Sequence, residues 1–342
     1  MDLTQGNIEK PGGKYHCLAL FSGGLDSILA VKIIQSQGLK VLGVHFFSPF
    51  FGHPEKIEHW ERQYNVDIIA LDVGEDFLEI IKRPRWGHGK GLNPCVDCKV
   101  FMLKQTKELL PLFSASFIIT GEVVGQRPMS QRRDPMEIIM RYSNTSDILL
   151  RPLTAKNLPP SRPEREGMVH RELLLDIRGR GRKRQLALAR RYNIHPIPTP
   201  AGGCLLTDPQ YVQRFTPLLT RLKKPSLLDF SLAKVGRQLW HKDHWLIIGR
   251  HHQDNQRLLG LREKGDLLFK LKDIPGPLGI GRQKGKKWPP PLIEEAAYLM
   301  ARYSRARASM SPITVTAGDE DRIMDITVIP GAERPISWEG PL

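Results

Sequence analysis

The chain lacks three things, and each absence excludes a class of protein. No apolar run approaches the roughly 18 residues that a membrane helix needs, so no membrane span is expected. The opening segment, MDLTQGNIEKPGGKYH, has no apolar signal core and reads as a flexible leader over residues 1–14. It points to the cytoplasm. Cysteine is scarce: Cys17, Cys95, Cys98 and Cys204 are too few for a secreted disulfide scaffold. In a reducing compartment their spacing reads as metal binding or catalysis. Acidic residues are in deficit as well, with 36 Asp and Glu against 51 Lys and Arg and a net charge of +15. That balance favours an anionic partner such as nucleic acid. A basic membrane-surface protein would need an amphipathic basic helix with exposed aromatics, and the sequence offers none.

At 342 residues the chain has room for two or three domains and a sizeable core. It is organised around residues 18–27, LALFSGGLDS. Four apolar residues predict a buried parallel strand. A small-residue turn, Ser22 to Ser27, follows, and from Asp26 an apolar-periodic helix begins, with Ile28, Val31 and Ile34 on one face. A glycine turn at a helix N-terminus suits phosphate, because backbone N–H groups can approach closely and the helix dipole favours negative charge. No Gly-Lys-Ser/Thr follows, so the turn is neither a Walker A loop nor a GxGxxG fingerprint.

Further strands are predicted at 41–47, 66–71, 117–120 and 148–153, with helices over 54–64 and from 100 to 110. The alternation means an α/β fold: a doubly wound parallel sheet spanning about 15–220. Ligands of such sheets sit beyond the strand C-termini, where SGGLDS lies. His45 and Phe46 end the second strand and either flank an adenine ring or close the core. Residues 151–200 hold twelve Lys/Arg against four Asp/Glu, centred on Arg178-Gly-Arg-Gly-Arg-Lys-Arg184. This run suits a loop that tracks RNA phosphates. A smaller α+β domain is expected over 232–335, with strands at 245–249, 267–271, 313–316 and 325–329 and a helix at 292–307.

Cys95 and Cys98 form a C-x-x-C, which alone fits a redox pair, half a zinc site or two core thiols. Cys204, in a glycine loop, is a third candidate. Three cysteines around an open position suit a [4Fe–4S] cluster with one iron left free. The competing chemistry is a persulfide on one cysteine, resolved by another. Cys17 reads as a core thiol.

Taken together, SGGLDS, NPCVDCK at 93–99, TGEVVGQRPMSQ at 120–131, RPL at 151–153 and the late GGC resemble the tRNA thiouridine synthases of the PP-loop ATPase superfamily. The segment at 93–98 is similar to the NPDxxC motif of the tRNA 2-thiouridylases, with Cys95 in place of Asp. The 120–131 pattern is similar to the 4-thiouridine synthases. The resemblance implies that ATP adenylates a uracil carbonyl oxygen of tRNA, or of another structured RNA, and that sulfur then displaces AMP. It implies ATP binding by Ser22, Gly23, Gly24, Asp26 and Ser27, with Asp26 near Mg²⁺ and Gly121 and Gln126 beside the nucleotide. It also implies sulfur handling by Cys98 and Cys204, and cluster ligation by Cys95, Cys98 and Cys204. The sulfur donor and the nucleotide modified stay open, and a homodimer is one assembly it allows.

Residues 232–332 resemble the NFACT-R module, an RNA-binding domain. Leu268 and Lys270 depart from that module's D-L-W-x-H-x-K-D pattern, and a lid role is the alternative. Lys284 to Lys287 beside Trp288 add charge and a stacking ring. Two other functions fit SGGLDS: a PP-loop ligase or synthetase of a small metabolite, and a non-catalytic RNA-binding factor.

Overall fold

The computed structural model describes residues 14–198, 203–284, 287–332 and 337–340. Of the expected leader only Lys14 is among them; residues 199–202 of the late glycine loop and 285–286 of the lysine run also lie outside the described residues. The chain divides into two compact units between Pro209 and Gln210.

In the first unit, β1 (Cys17–Leu20) leads to α1 (Leu25–Gln35), β2 (Val41–Phe47), α2 (Ile57–Tyr64) and β3 (Asp67–Asp72). Then come α3 (Gly74–Lys82), α4 (Cys95–Leu109), β4 (Phe117–Thr120), α5 (Arg133–Ser143) and β5 (Leu149–Leu150). The one-turn α6 (Arg162–Arg165) and α7 (Lys183–Arg191) complete it. All five strands are parallel, in the order β3-β2-β1-β4-β5. This is the doubly wound α/β sheet that the alternating pattern predicts. β1 is central, and all four of its residues are buried, as an apolar run covered on both faces must be. Cys17 and Ala19 face the layer built by α1, α2 and α7, while α4 packs on the sheet and against α5. Cys17 is a core thiol, fully buried, and burial raises its pKa.

Three local differences from expectation have physical causes. α4 starts at Cys95, a turn earlier than Val100, with Asp97 in its first turn complementing the helix dipole and accepting the backbone N–H groups of Arg85 (2.8 Å) and Trp86 (3.2 Å). Both cysteines of the C-x-x-C therefore sit on that helical turn. The strand expected at 148–153 pairs only at Leu149–Leu150: Pro152 has no N–H, and Thr154 N–H turns back to the Arg151 carbonyl. α3 and α5 are additional helices, each burying a short apolar face such as Phe77, Leu78 and Ile81.

The second unit opens with α8 (Pro209–Arg221) and α9 (Leu227–Ala233), followed by the hairpin β6 (Arg237–His241) and β7 (His244–Ile248). Next are α10 (His252–Gly260), β8 (Leu267–Leu271), β9 (Leu278–Arg282), α11 (Pro290–Arg302), β10 (Ile313–Gly318) and β11 (Ile323–Val328). Its six strands form an antiparallel sheet ordered β11-β10-β8-β9-β7-β6, and α11 packs on β8, β10 and β11. Trp288 is not an exposed stacking ring. It is buried in this core beside Phe269, His244 and Trp338, and its indole N–H donates to the Arg282 carbonyl at 3.3 Å. Among the described residues no helix is long and apolar enough to cross a membrane.

Candidate active site

The SGGLDS turn leaves β1 and enters α1 at the C-terminal edge of the sheet. Gly23 adopts φ +72°, and a side chain there would lie 2.2 Å from the Trp60 ring. Both constraints demand glycine. Gly24 caps α1 with no side-chain hydrogen bond, so the helix N-terminus keeps its N–H groups for a ligand. Ser27 Oγ donates to the Gly24 carbonyl at 2.8 Å and lies 3.3 Å from Ser22 Oγ, which cross-braces the turn.

The loop after β4 closes against this turn. A Cβ on Gly121 would stand 2.4 Å from the Asp26 backbone, and Gln126 Nε2 donates to Asp26 Oδ2 at 2.9 Å. The other carboxylate oxygen of Asp26 and the amide oxygen of Gln126 are buried without a hydrogen-bond partner among the described residues. Burial raises the Asp26 pKa, while the Gln126 bond and the charges of Arg182 and Arg127 lower it. Two orphaned buried oxygens, a bare helix N-terminus and nearby guanidinium groups fit a Mg²⁺-bound polyphosphate.

Two long-range backbone hydrogen bonds carry Cys204 to the C-x-x-C. Leu92 N–H donates to the Leu206 carbonyl at 3.0 Å, and Leu205 N–H to the Phe50 carbonyl at 2.9 Å. Asn93 Nδ2 donates to Cys95 Sγ at 3.1 Å. The three thiols are partly exposed at the residue level, and burial of the sulfur acts on Cys98 and Cys204. Burial raises the Cys98 pKa; the Lys99 charge lowers it, and Cys204 and Cys95 raise it further. Burial pushes the Cys204 thiol up to about 11, with Cys95 raising and Arg127 lowering it. Among the described residues no group of three or more His, Cys, Asp or Glu is arranged to hold a metal ion. The cysteines therefore do not form a mononuclear site as they stand. By donor chemistry alone, three thiols are what a cluster with one open iron takes, and Cys95, Cys98 and Cys204 are the residues that would hold it.

His45 and Phe46 are both buried. His45 Nδ1–H donates to the Phe21 carbonyl at 2.9 Å, and Nε2 accepts the His53 backbone N–H at 2.9 Å. Both ring nitrogens are used within the chain and burial lowers the pKa, so the ring is neutral. Of the two roles open to this pair, these contacts suit closing the core.

Three residues inside the quoted motifs gain a role that their pattern did not show. Glu122 is buried and accepts from Arg151 Nε at 3.0 Å and Thr120 Oγ1 at 3.2 Å, with Lys99 Nζ 3.7 Å from its other oxygen. Burial alone would raise its pKa; Lys99 and Arg151 hold it below the usual carboxylate range. This network ties the cysteine helix to the loop after β4. The signal was the charged residue within each motif: Lys99 of NPCVDCK, Glu122 of TGE and Arg151 of RPL. The basic run also divides. Gly179 N–H donates to the Val124 carbonyl at 2.7 Å, and Arg184 pairs with Asp176 at 2.6 Å. Arg178 and Arg180 stay exposed.

A parallel sheet with a glycine turn after its central strand, an aspartate in the following first turn and three cysteines in the flanking loops and helix define a PP-loop-type α/β domain equipped with cysteines. Residues 12–157 match the family described as Thiamine biosynthesis protein (ThiI), and residues 236–337 match the NFACT protein RNA binding domain. The N-terminal region is thus similar to the ThiI family and the C-terminal region to the NFACT RNA binding domain. The chain is 35 % identical over 121 residues to an uncharacterized protein of Methanocaldococcus jannaschii, covering 34 % of this chain and 41 % of that protein. It is 27 % identical over 150 residues to a tRNA sulfurtransferase of Desulfurococcus amylolyticus, covering 42 % and 30 %. It is 34 % identical over 87 residues to the tRNA-specific 2-thiouridylase MnmA of Nitratidesulfovibrio vulgaris, covering 24 % and 25 %. The chain thus spans between a quarter and about half the length of the curated relatives it matches.

Proposed function

We propose that this protein is an ATP-dependent thiolase of tRNA uridine. A uracil carbonyl oxygen attacks the α-phosphorus of ATP, and the bond to the bridging oxygen breaks to release pyrophosphate. Sulfur then adds to the same ring carbon, the carbon–oxygen bond breaks, and AMP leaves with that oxygen. One observation above all supports the reading: the single loop after β4 holds Asp26 of the glycine turn through Gln126 at 2.9 Å and meets Lys99 of the cysteine helix through Glu122 at 3.7 Å. A phosphate site and a sulfur site braced by one loop are what oxygen-to-sulfur replacement requires.

In this reading Ser22, Gly23, Gly24 and Ser27 cradle the phosphates, and Gly121 and Gln126 fix the turn and Asp26. Asp26 would hold Mg²⁺, which offsets charge on the departing pyrophosphate. Cys95, Cys98 and Cys204 would hold a [4Fe–4S] cluster, which supplies a site for activated sulfide. Their desolvation keeps water from competing with sulfur for the activated carbon. The substrate is tRNA, held through the basic run and the C-terminal domain, with the target base unstacked to reach the pocket. A metabolite ligase would leave the thiols and the positive charge idle.

Nucleoside mass spectrometry of tRNA from a deletion strain tests the function. One thiolated uridine should vanish and return with the gene; an unchanged nucleoside profile overturns the proposal. Anaerobically purified protein should carry iron and sulfide and absorb broadly near ~400 nm. Colourless, iron-free protein removes the cluster and leaves a persulfide on Cys98 or Cys204 as the sulfur carrier.

A further inference from the structure

The basic run contains one residue turned to a different task from its neighbours. The loop at 178–182 is pinned, backbone to backbone, to the segment that grips Asp26. Gly179 N–H donates to the Val124 carbonyl at 2.7 Å, and Val124 and Arg178 form a parallel bridge. A Cβ on Gly125 would meet Gly179 Cα at 3.5 Å, so the two glycine turns, at φ +81° and +80°, lie in close contact. Gln126, one residue on, holds Asp26 at 2.9 Å. This docking sets the 178–182 loop, with Arg182, beside the segment whose Gln126 holds Asp26, and Arg127 follows Gln126 in that segment. Both guanidinium charges act on Asp26. Among the described residues neither has a carboxylate within ion-pair distance, whereas Arg184, two residues on, is paired with Asp176. Arg182 is half-buried, whereas Arg127, Arg178 and Arg180 are exposed.

An arginine held half-buried without an anion, beside a helix N-terminus built for phosphate, has its partner supplied by a ligand. We infer that Arg182, with Arg127, is a clamp for the β- and γ-phosphates of ATP and for the pyrophosphate they become, and not an RNA contact. This inference rests on the nucleotide reading of the SGGLDS turn. The clamp would favour adenylation, since it binds the leaving group as its charge develops. It also gives loop 178–182 two faces: Arg182 toward the nucleotide, Arg178 and Arg180 toward solvent and the RNA.

The test is equilibrium binding to the full-length protein in the presence of Mg²⁺, using three probes: a non-hydrolysable ATP analogue, inorganic pyrophosphate and AMP. Arg182→Ala should weaken the ATP analogue and pyrophosphate by roughly 10- to 100-fold, the range for losing a charge-assisted hydrogen bond, and leave AMP within about twofold. Arg178→Ala should keep wild-type affinity for all three. If R182A weakens AMP as much as ATP, or leaves ATP unchanged while tRNA affinity falls, the inference is wrong and Arg182 belongs to the RNA surface. Should R182A unfold, Arg182→Lys carries the test, with a smaller loss still confined to the ATP analogue and pyrophosphate. Wild-type protein that binds none of the probes would overturn the nucleotide reading itself, a distinct result from selective failure of the variant.

Discussion

Gln126 and Asp26, a hundred residues apart, are joined at 2.9 Å where the loop after β4 crosses the first turn of α1. The contact uses the amide nitrogen of Gln126 and one carboxylate oxygen of Asp26, and leaves the Gln126 amide oxygen and the other Asp26 oxygen buried and unpartnered among the described residues. It also depends on Gly121, because any side chain there would strike the Asp26 backbone at 2.4 Å. Strand order therefore matters to chemistry here: β4 lies beside β1, so its loop can close on the turn that β1 feeds.

Gly121→Ala should separate the two. The obstructing atoms are backbone, so the chain must move, at about 1–3 kcal/mol for an overpacked site. Thermal denaturation should register that loss, and titration with an ATP analogue should show weakened binding as Asp26 shifts. Gly260→Ala, whose Cβ would meet open space, is the control and should change neither. Unaltered nucleotide affinity in G121A would refute the proposed packing.

Breaking the Glu122–Arg151–Lys99 network should cost more. Arg151 and Glu122 are almost fully buried, and Arg151 Nη2 already lacks a hydrogen bond. Glu122→Gln removes the charge that compensates two cations, so a loss of ~3–5 kcal/mol is expected at neutral pH. The pH dependence has a definite sign. The folded protein holds Glu122 below its unfolded value, so its contribution is complete above about pH 4.3 and fades as pH falls through the folded value. Denaturant unfolding of E122Q and wild type should therefore converge in acid. A difference that persists unchanged down to low pH would assign the loss to shape instead of charge.

Much of this centre can be read along the chain, but not its assembly. SGGLDS was legible because strand, glycine turn and helix follow one another within ten residues. β4 was legible because Phe117 to Thr120 is a short apolar run between turns. α5 was hidden by its sequence: Pro135 and a cluster of charges disguise a helix that buries little beyond Met136 and Ile139. The grouping of Cys204 with Cys95 and Cys98 can be suggested from residue type and from the family resemblance, but not how it is made, since it hangs on hydrogen bonds from Leu92 N–H to the Leu206 carbonyl and from Leu205 N–H to the Phe50 carbonyl. Aromatic rings mislead for a physical reason. Composition tells that Trp288 is aromatic, but only tertiary packing tells that it faces the core.

In iron-free protein the cysteines should be slow nucleophiles. Burial raises Cys98 and pushes Cys204 up to about 11, so little thiolate exists at pH 7. Alkylation of Cys204 by iodoacetamide, followed by peptide mass spectrometry, should accelerate steadily as pH rises toward about 11. Arg127→Ala should slow it at every pH below that, because the Arg127 charge favours the thiolate. Rapid labelling of Cys204 at pH 7, insensitive to Arg127, would contradict the desolvated pocket.

The second unit is locked by a different charge, and its loss, like that of Glu122, should weigh more at neutral pH than in acid. Arg282 is buried at the end of β9, with Asp229 at 3.2 Å, Asp266 at 2.9 Å and Glu263 also in contact. Lys284 joins Asp229 at 3.1 Å and Glu263 at 3.0 Å, so Asp266 depends chiefly on Arg282. Burial already raises the Asp266 pKa, and the Arg282 charge opposes it. Arg282→Met removes that opposition and drives the folded value higher still. A carboxyl raised in the folded state favours the protonated form, so the variant loses stability as pH climbs from the unfolded value near 3.9 through the new folded one. Urea unfolding followed by tryptophan emission should therefore show about 3–5 kcal/mol of destabilisation at pH 7 and distinctly less at pH 5. Equal losses at the two pH values would mean that Asp266 stays ionised without its arginine, and that the buried web is held by packing.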